Sequence, residues 1–449
     1  MDKNLKVVEK ERRYVASGQS KKYFPLVVSK AEDSKIWDLD ENEFIDFLSS
    51  AAVFNVGHNN SAVIEAMKRQ MKSFLNYTNV YLYTQPSVDL AEKLTKITPG
   101  TFTKKVAFGF SGGDAVDTAI KVSRAFTGKK HIVIYDESYH GTTYGALSTT
   151  MVTDVRSREA VFPMKDVKSI PYPNPYRNFW GIDGYERPDD LLSEALNSLN
   201  TCISSLKGDI SAIMMEPIQG DAGIIIPPNG YIKEVRRICD EHGLIFIDEE
   251  VQTGMGRTGR FWAIEHFSAV PDILISAKAL GAGMPISAVV GRKKIMESVK
   301  SPLLVFTNAG HALSSSAALA AISVVENESL VERANEIGNY VMKRLYELEK
   351  YDQVGDIRGK GLLIGVEIVN SKKAKKPDRV LAQKTIWRAW EKGLILATLG
   401  KSGNVLRIAP PLNIPKETLD RGLDIIEESL KDALDGKVSN EITRYIKGW

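Results

Sequence analysis

Six short apolar runs occupy residues 105–110, 131–136, 212–217, 244–249, 273–277 and 287–291, and longer amphipathic stretches separate them. No other feature of the sequence constrains the fold as strongly. The runs are rich in Val, Ile and Phe, and several stop at a Gly, a Pro or an acidic residue. They are too short for helices and read as strands buried on both faces. Residues 114–125 set Ala115, Ile120 and Val122 among polar neighbours behind Gly112-Gly113, and residues 232–241 show a similar helical pattern. Strands alternating with helices predict an α/β fold with a mostly parallel sheet covered by helices on both faces.

The two ends of the chain depart from this pattern. Short alternating runs at 25–28 and 35–39 come before a turn at 40–43, and long helical patterns after Val325 lead into apolar runs at 361–369 and 404–409. The expected organisation is a large domain over 61–325, with a smaller α+β domain assembled from 1–60 and 326–449.

Composition removes several function classes. The 449 residues carry 59 basic and 56 acidic side chains, a net charge of +3. That balance supplies no field for nucleic acid. The uncharged stretch 312–325 is shorter than the roughly 20 apolar residues a bilayer needs. The first residues are charged throughout and hold no apolar core of a signal peptide, so a cytoplasmic protein is expected. Two cysteines, Cys202 and Cys239, are too few for a disulfide framework or a Cys-rich zinc site. The six histidines include no HxxxH pair, and no metal is expected. The basic run at 371–379 reads as a solvated loop.

Gly254-Met-Gly256-Arg-Thr-Gly259 spells a dinucleotide fingerprint, with Asp272 further along. Glu249 and Glu250 just ahead of it would repel a pyrophosphate, and the motif lies mid-chain rather than on a first strand–helix–strand unit. Four other strand ends form a better constellation. Ser111-Gly112-Gly113-Asp114 joins a strand to a helix, where backbone N–H groups and the helix dipole suit a phosphate or simply make a tight turn. Tyr139-His140-Gly141 offers an aromatic face. Asp248-Glu249-Glu250 crowds three carboxylates, an arrangement that calls for a compensating cation or protonated nitrogen. Lys278 closes an apolar strand and precedes Ala-Leu-Gly-Ala-Gly, a setting that suits a desolvated amine nucleophile.

In this order the residues resemble the class III aminotransferase family of fold type I pyridoxal-phosphate enzymes, over nearly the whole chain from about Lys22. The motifs that carry the likeness are Glu216-Pro-Ile-Gln-Gly, Val251-Gln-Thr-Gly-Met-Gly-Arg-Thr-Gly259, Ser276-Ala-Lys278-Ala-Leu-Gly-Ala-Gly and Leu406-Arg407-Ile-Ala-Pro-Pro-Leu. Within the family the chain is similar to the subgroup of amino-acid racemases and epimerases such as isoleucine 2-epimerase. It shares Pro171-Tyr-Pro-Asn-Pro-Tyr-Arg177, Gly220-Asp221 and the terminal Lys447-Gly-Trp.

The resemblance implies pyridoxal 5′-phosphate as cofactor, held covalently by Lys278. Gly112 and Gly113 then bind its phosphate, Tyr139 and Val251 cover the two faces of its ring, and Gln252 reaches its phenolic oxygen. Thr307 serves the phosphate in a partner subunit, which implies a homodimer or a dimer of dimers. Arg407 receives the substrate carboxylate. Three positions depart from the family pattern. The family aspartate that faces the pyridine nitrogen aligns with Glu249, while Asp248 stands one residue earlier; both stay open, with Glu249 preferred. Ala309-Gly310-His311-Ala312 replaces the usual Gly-Gly-Asn-Pro. Asp221 stands where many aminotransferases have Glu, either as a second catalytic acid or as the partner of Arg407.

Two activities share this chemistry. A racemase or epimerase of a neutral amino acid is the leading expectation, and an aminotransferase with a 2-oxo acid acceptor is the alternative. A non-enzymatic ligand-binding module would not need Lys278. A dinucleotide oxidoreductase rests on the glycine motif alone.

Overall fold

The computed structural model describes residues 3–19, 21–152, 159–444 and 446; the terminal Lys447-Gly-Trp motif lies outside the described residues. Contacts divide the chain into two units, Ser61–Val331 and Met1–Asn60 together with Glu332–Trp449. In chain order the strands are β1 (Val28–Glu32), β2 (Lys35–Asp38), β3 (Glu43–Asp46), β4 (Lys104–Gly109), β5 (His131–Tyr135), β6 (Val167–Ile170), β7 (Ile210–Met215), β8 (Ile245–Glu249), β9 (Ile273–Ser276), β10 (Ser287–Arg292), β11 (Val354–Lys360), β12 (Leu363–Ile368), β13 (Leu394–Ile395), β14 (Ala397–Leu399) and β15 (Val405–Ile408).

The larger unit is built on a seven-stranded sheet of order β4-β10-β9-β8-β7-β5-β6. Every strand runs the same way except β10, which pairs antiparallel with both β4 and β9. The exception has a simple cause. The connection from β9 to β10, residues 277–286, is shorter than the dozen or more residues a parallel crossover needs. Alternate residues of the central strands, Ala212 and Met214, Ile245 and Ile247, Ile273 and Ile275, form one face of the sheet. They pack against Ala115, Val116, Ala119, Ile120 and Val122 of the helix Gly112–Thr127, all buried. Each such Ile or Val contributes roughly 1.5–3 kcal/mol by leaving water, and the packing fixes the helix start against the carboxyl ends of the strands. The segment 254–259 forms turns and opens no helix, so it lacks the strand–turn–helix context of a dinucleotide fingerprint.

The smaller unit holds two four-stranded sheets, β1-β2-β3-β13 and β11-β12-β15-β14. Parallel pairing of β13 with β3 joins the two ends of the chain in one sheet. The helix Lys3–Tyr14 has no sequence signature, because charged residues interrupt its apolar stripe. It is fastened by Asn4, whose amide donates to Asp38 and Asp40 at 3.1 Å each. The run at 371–379 is mostly exposed loop.

Between β3 and the remainder of this unit the backbone does something costly. Ser49, Ser50, Ala51 and Ala52 all have positive φ, from +47° to +65°. Side-chain-bearing residues in this left-handed region lose about 1–2 kcal/mol each. The turn is held from outside. Asp46 Oδ1 accepts the N–H of Leu48 and Ser49 at 2.8 and 2.9 Å, and Oδ2 meets His58 Nε2 at 2.8 Å. Ala409 N–H, one residue beyond β15, donates to Phe47 O at 2.8 Å. The strained turn therefore lies beside the end of the strand that carries Arg407. Ser50 is exposed and packs little. Ser50→Gly should relieve its strain and raise stability by about 0.5 kcal/mol or more, net of glycine's added chain entropy. Scanning calorimetry should show a higher midpoint; a lower one would mean that the turn is not strained there.

Candidate active site

Five parallel strands, β4, β5, β7, β8 and β9, deliver their following loops to one edge of the large sheet, the usual place for a ligand in an open α/β sheet. After β4, Ser111 caps the helix Gly112–Thr127. Its hydroxyl accepts from Asp114 N–H, and the Asp114 carboxylate accepts from the N–H of Phe110 and Ser111 at 2.8 and 3.1 Å. Ser287 on β10 also donates to Asp114, at 2.9 Å. The positive end of a 16-residue helix is thus fixed with Gly112 and Gly113 as its first residues. Gly112 lies against Val251, and a Cβ there would fall 3.0 Å from both Val251 methyls.

After β5 come Tyr139 and the buried His140, whose Nδ1 lies 3.0 Å from Glu249 Oε2. After β7, Glu216 accepts the N–H of Tyr139 at 3.0 Å and of Gly220 at 2.8 Å. Glu249 closes β8 and accepts Val251 N–H through its other oxygen at 2.8 Å. Gln252 Nε2 donates to Asp221 Oδ1 at 3.2 Å, while Gln252 Oε1 is buried with no hydrogen-bond partner among the described residues. After β9 comes Lys278, with φ +45°. A lysine in that region is strained, as functional residues held by their surroundings often are.

Strand alternation separates the two candidate pyridine partners. Glu249 shares its face with Ile245 and Ile247, beside the start of the Gly112–Thr127 helix, and it neighbours His140 and Glu216. Asp248 and Glu250 lie on the opposite face. Glu250 accepts from Thr253 Oγ1, Ala263 N–H and Ile264 N–H at 2.8, 2.8 and 2.7 Å. Asp248 is fully buried, and the charged group that acts on it most strongly is the Glu250 carboxyl.

Burial shapes the electrostatics. It pushes the Glu216 carboxyl well above the usual range, and the Glu249 charge adds to this. It also raises the Tyr139 phenol, helped by Asp221 and then Glu249. Asp248 is raised by burial and by Glu250. Glu250 is itself pushed up to about 7 by burial, against its three hydrogen bonds. Donor atoms of His140, Glu216 and Glu249 lie within 4.8 Å of one another, close enough to surround a cation. Their oxygens are already engaged by backbone N–H groups of Tyr139, Gly220 and Val251.

The structure therefore brings Gly112, Gly113, Tyr139, Asp221, Glu249, Val251, Gln252 and Lys278 to the loops of one sheet edge. Thr307 is exposed, on a segment stitched to residues 76–79: Thr78 Oγ1 donates to Thr307 O at 2.5 Å, and Asn79 Nδ2 to Gly310 O at 2.8 Å. Arg407 belongs to the smaller unit. It is buried on β15, opposite Gly365 of β12 and Ala397 of β14. Sequence reasoning missed the parts played by Glu216 and His140. The signal available was an acidic residue closing an apolar strand run, where burial demands a partner.

A family profile described as "Aminotransferase class-III" matches residues 16–430. The chain is 44% identical over 453 residues to the leucine/methionine racemase of Thermococcus litoralis, covering 99% of each chain. It is 39% identical to the isoleucine 2-epimerase of Lentilactobacillus buchneri, covering 98% of this chain and 97% of that one. Among solved structures, the PLP-bound form of an amine transaminase from an uncultivated Pseudomonas species superposes with a TM-score of 0.84 at 27% identity, over 94% of this chain and 97% of the other.

The buried Asp248 has a measurable consequence. Its folded pKa is raised, so as pH climbs past the ordinary carboxyl range the unfolded chain releases this proton before the folded one does. Stability is lost over that window. Asp248→Asn removes the titration and keeps a donor for Glu250 in its amide. The variant should be more stable than the parent at pH 8, by on the order of 1–3 kcal/mol, with the gap closing towards pH 4. Denaturant unfolding across that range would show it, and a pH-independent difference would refute the assignment.

Proposed function

Because the chain belongs to the class III aminotransferase family, we propose that it is a pyridoxal 5′-phosphate-dependent racemase or epimerase that inverts Cα of a neutral amino acid. The observation that carries this reading is 39–44% identity, over nearly the full length, with a racemase and an epimerase, and Asp221 supplies a chemical basis for it. The residues fit the cofactor. Gly112 and Gly113 at the helix N-terminus suit its phosphate. Tyr139 and Val251 offer two apolar faces for its ring. The amide of Gln252, with one buried atom lacking a partner, suits its phenolic oxygen. Glu249 suits its ring nitrogen, with His140 and Val251 N–H fixing the carboxylate. Lys278 is the amine that holds it.

When bound, such a cofactor withdraws electrons from Cα and acidifies its hydrogen. The protein's own groups do the rest. Glu249 keeps a proton on the ring nitrogen by its negative charge. Arg407 receives the substrate carboxylate as a bidentate pair. The Lys278 amine takes the Cα proton on one face, and returning it there restores the starting enantiomer. Inversion requires a proton donor on the opposite face, and Asp221, held by Gln252, would be that donor, with Asp221 and Lys278 each returning to their starting state by exchange with solvent. Among the described residues no second arginine is assigned to an acidic substrate, which favours a neutral side chain. An aminotransferase would use the same amine and nitrogen partner but would pass the amino group to a 2-oxo acid.

We assign Thr307 to a partner subunit's cofactor, in a homodimer or dimer of dimers. Its exposure supports this, as do the exposed Leu75, Tyr81, Leu82, Tyr83 and Leu303 around it. Among the described residues no helix is long and apolar enough to cross a membrane. With two free cysteines, the chain fits the reducing cytoplasm.

One experiment tests the activity. The enzyme is given a single enantiomer of a neutral amino acid in deuterated water, without keto acid. The opposite enantiomer should accumulate with deuterium at Cα. Lys278→Ala should abolish this, and Asp221→Asn should slow inversion at least tenfold, within the roughly 100- to 10,000-fold range of general acid–base groups. Should no inversion occur while 2-oxoglutarate or pyruvate restores repeated turnover, the chain is an aminotransferase.

A further inference from the structure

Glu216 has no role in the chemistry described above, yet its carboxyl group joins two of the groups that do. One oxygen accepts the N–H of Tyr139 at 3.0 Å and the other the N–H of Gly220 at 2.8 Å. Tyr139 is the ring-covering aromatic, and Gly220 immediately precedes Asp221. The side chain is buried, at 5% exposure, so water does not compete for either bond. The segment it holds is tight. Gly220 O accepts from the N–H of Gly223 and Ile224 at 3.0 and 3.1 Å. A Cβ on residue 220 would collide with Gln252 Oε1, and the same glutamine donates to Asp221 Oδ1. Behind the segment, Tyr172 OH reaches Pro217 O at 3.2 Å, and Gln219 Nε2 donates to Asp136 O at 2.9 Å. Tyr172 belongs to the Pro171–Arg177 motif, to which the mechanism gives no task.

We propose that Glu216 is a positioning residue for inversion: it sets the distance between the Tyr139 loop and Asp221, and so places the second acid on the face opposite Lys278. The proposal rests on the racemase reading for the task of Asp221, though not for the clasp itself. Its physical basis is the geometry of one group with two acceptors facing two N–H donors. Glutamine keeps a single acceptor and turns an NH2 towards the other N–H. Alanine keeps none. Proton transfer needs heavy atoms within about 2.6–3.2 Å, and a displacement of about 1 Å can lower a rate about 100-fold. Loosening the clasp should therefore harm proton delivery by Asp221 more than proton removal by Lys278, which sits on a different strand end.

The test uses cofactor-loaded wild type, Glu216→Gln and Tyr172→Phe with L-leucine in deuterated water and no keto acid. NMR reads deuterium incorporation with retention, and chiral chromatography reads inversion. Visible circular dichroism of the bound cofactor, taken without substrate, reports the ring environment that Tyr139 creates. In Glu216→Gln the ratio of inversion to retentive exchange should fall at least tenfold, and the dichroic band should change. Tyr172→Phe should shift the ratio the same way by a smaller factor, and it carries the test if Glu216→Gln does not fold. An unchanged ratio, or an equal fall in both rates with a lowered thermal midpoint, overturns the proposal. If the wild type itself inverts no amino acid, the racemase reading has failed. The clasp is then judged on the dichroic band, and a wild-type band in Glu216→Gln overturns it too.

Discussion

Three carboxyl groups, Glu216, Asp221 and Glu249, are buried together at the end of one sheet, and much of the local architecture exists to make that tolerable. Like charges at low dielectric cannot all stay ionised without compensation. Each acid here has its own remedy. Glu249 accepts a backbone N–H and lies against His140. Asp221 is met by the Gln252 amide. Glu216 takes two backbone N–H groups, and burial beside Glu249 still drives it towards its neutral form. Its two backbone N–H bonds oppose that shift, so the clasp and the burial pull the Glu216 carboxyl in opposite directions.

Much of this was legible in the sequence because it follows from periodicity. The apolar runs mark β4, β5, β7, β8, β9 and β10 to within a few residues, and period-two alternation alone places Glu249 and Asp248 on opposite faces of β8. Other features were hidden for definite reasons. The reversed direction of β10 depends on connection length, not on the strand's composition, which matches its parallel neighbours. β6 is short and half polar, with Lys168 and Ser169 at its centre. The Lys3–Tyr14 helix depends on tertiary bonds from Asn4. The left-handed turn at Ser49–Ala52 was illegible because two serines and two alanines carry no signature of positive φ; it forms only because Asp46, His58 and Ala409 hold it. The part played by Glu216 needs two loops brought together from residues 139 and 220, which no local pattern encodes.

Racemisation and transamination can share this scaffold because they part company at the return of one proton, to Cα in the first and away from it, followed by hydrolysis and transfer of the amino group, in the second. In the proposed assignment Lys278, Glu249 and the Gly112–Gly113 turn would serve either reaction alike. In that assignment the distinction would rest on Asp221 and on how firmly it is held. A carboxylate one methylene shorter than glutamate has less reach and fewer rotamers. Its position is therefore set by the backbone beneath it more than by its own torsions. That is why the segment from Glu216 to Asp221 is tied down along its length, by Tyr172, by the Gln219 amide, by the turn at Gly220 and by Gln252. A fold of this kind does not dictate its reaction. In the proposed reading the choice would reside in a short loop whose rigidity comes from its neighbours, and of these only Gln252 is assigned a contact with the cofactor.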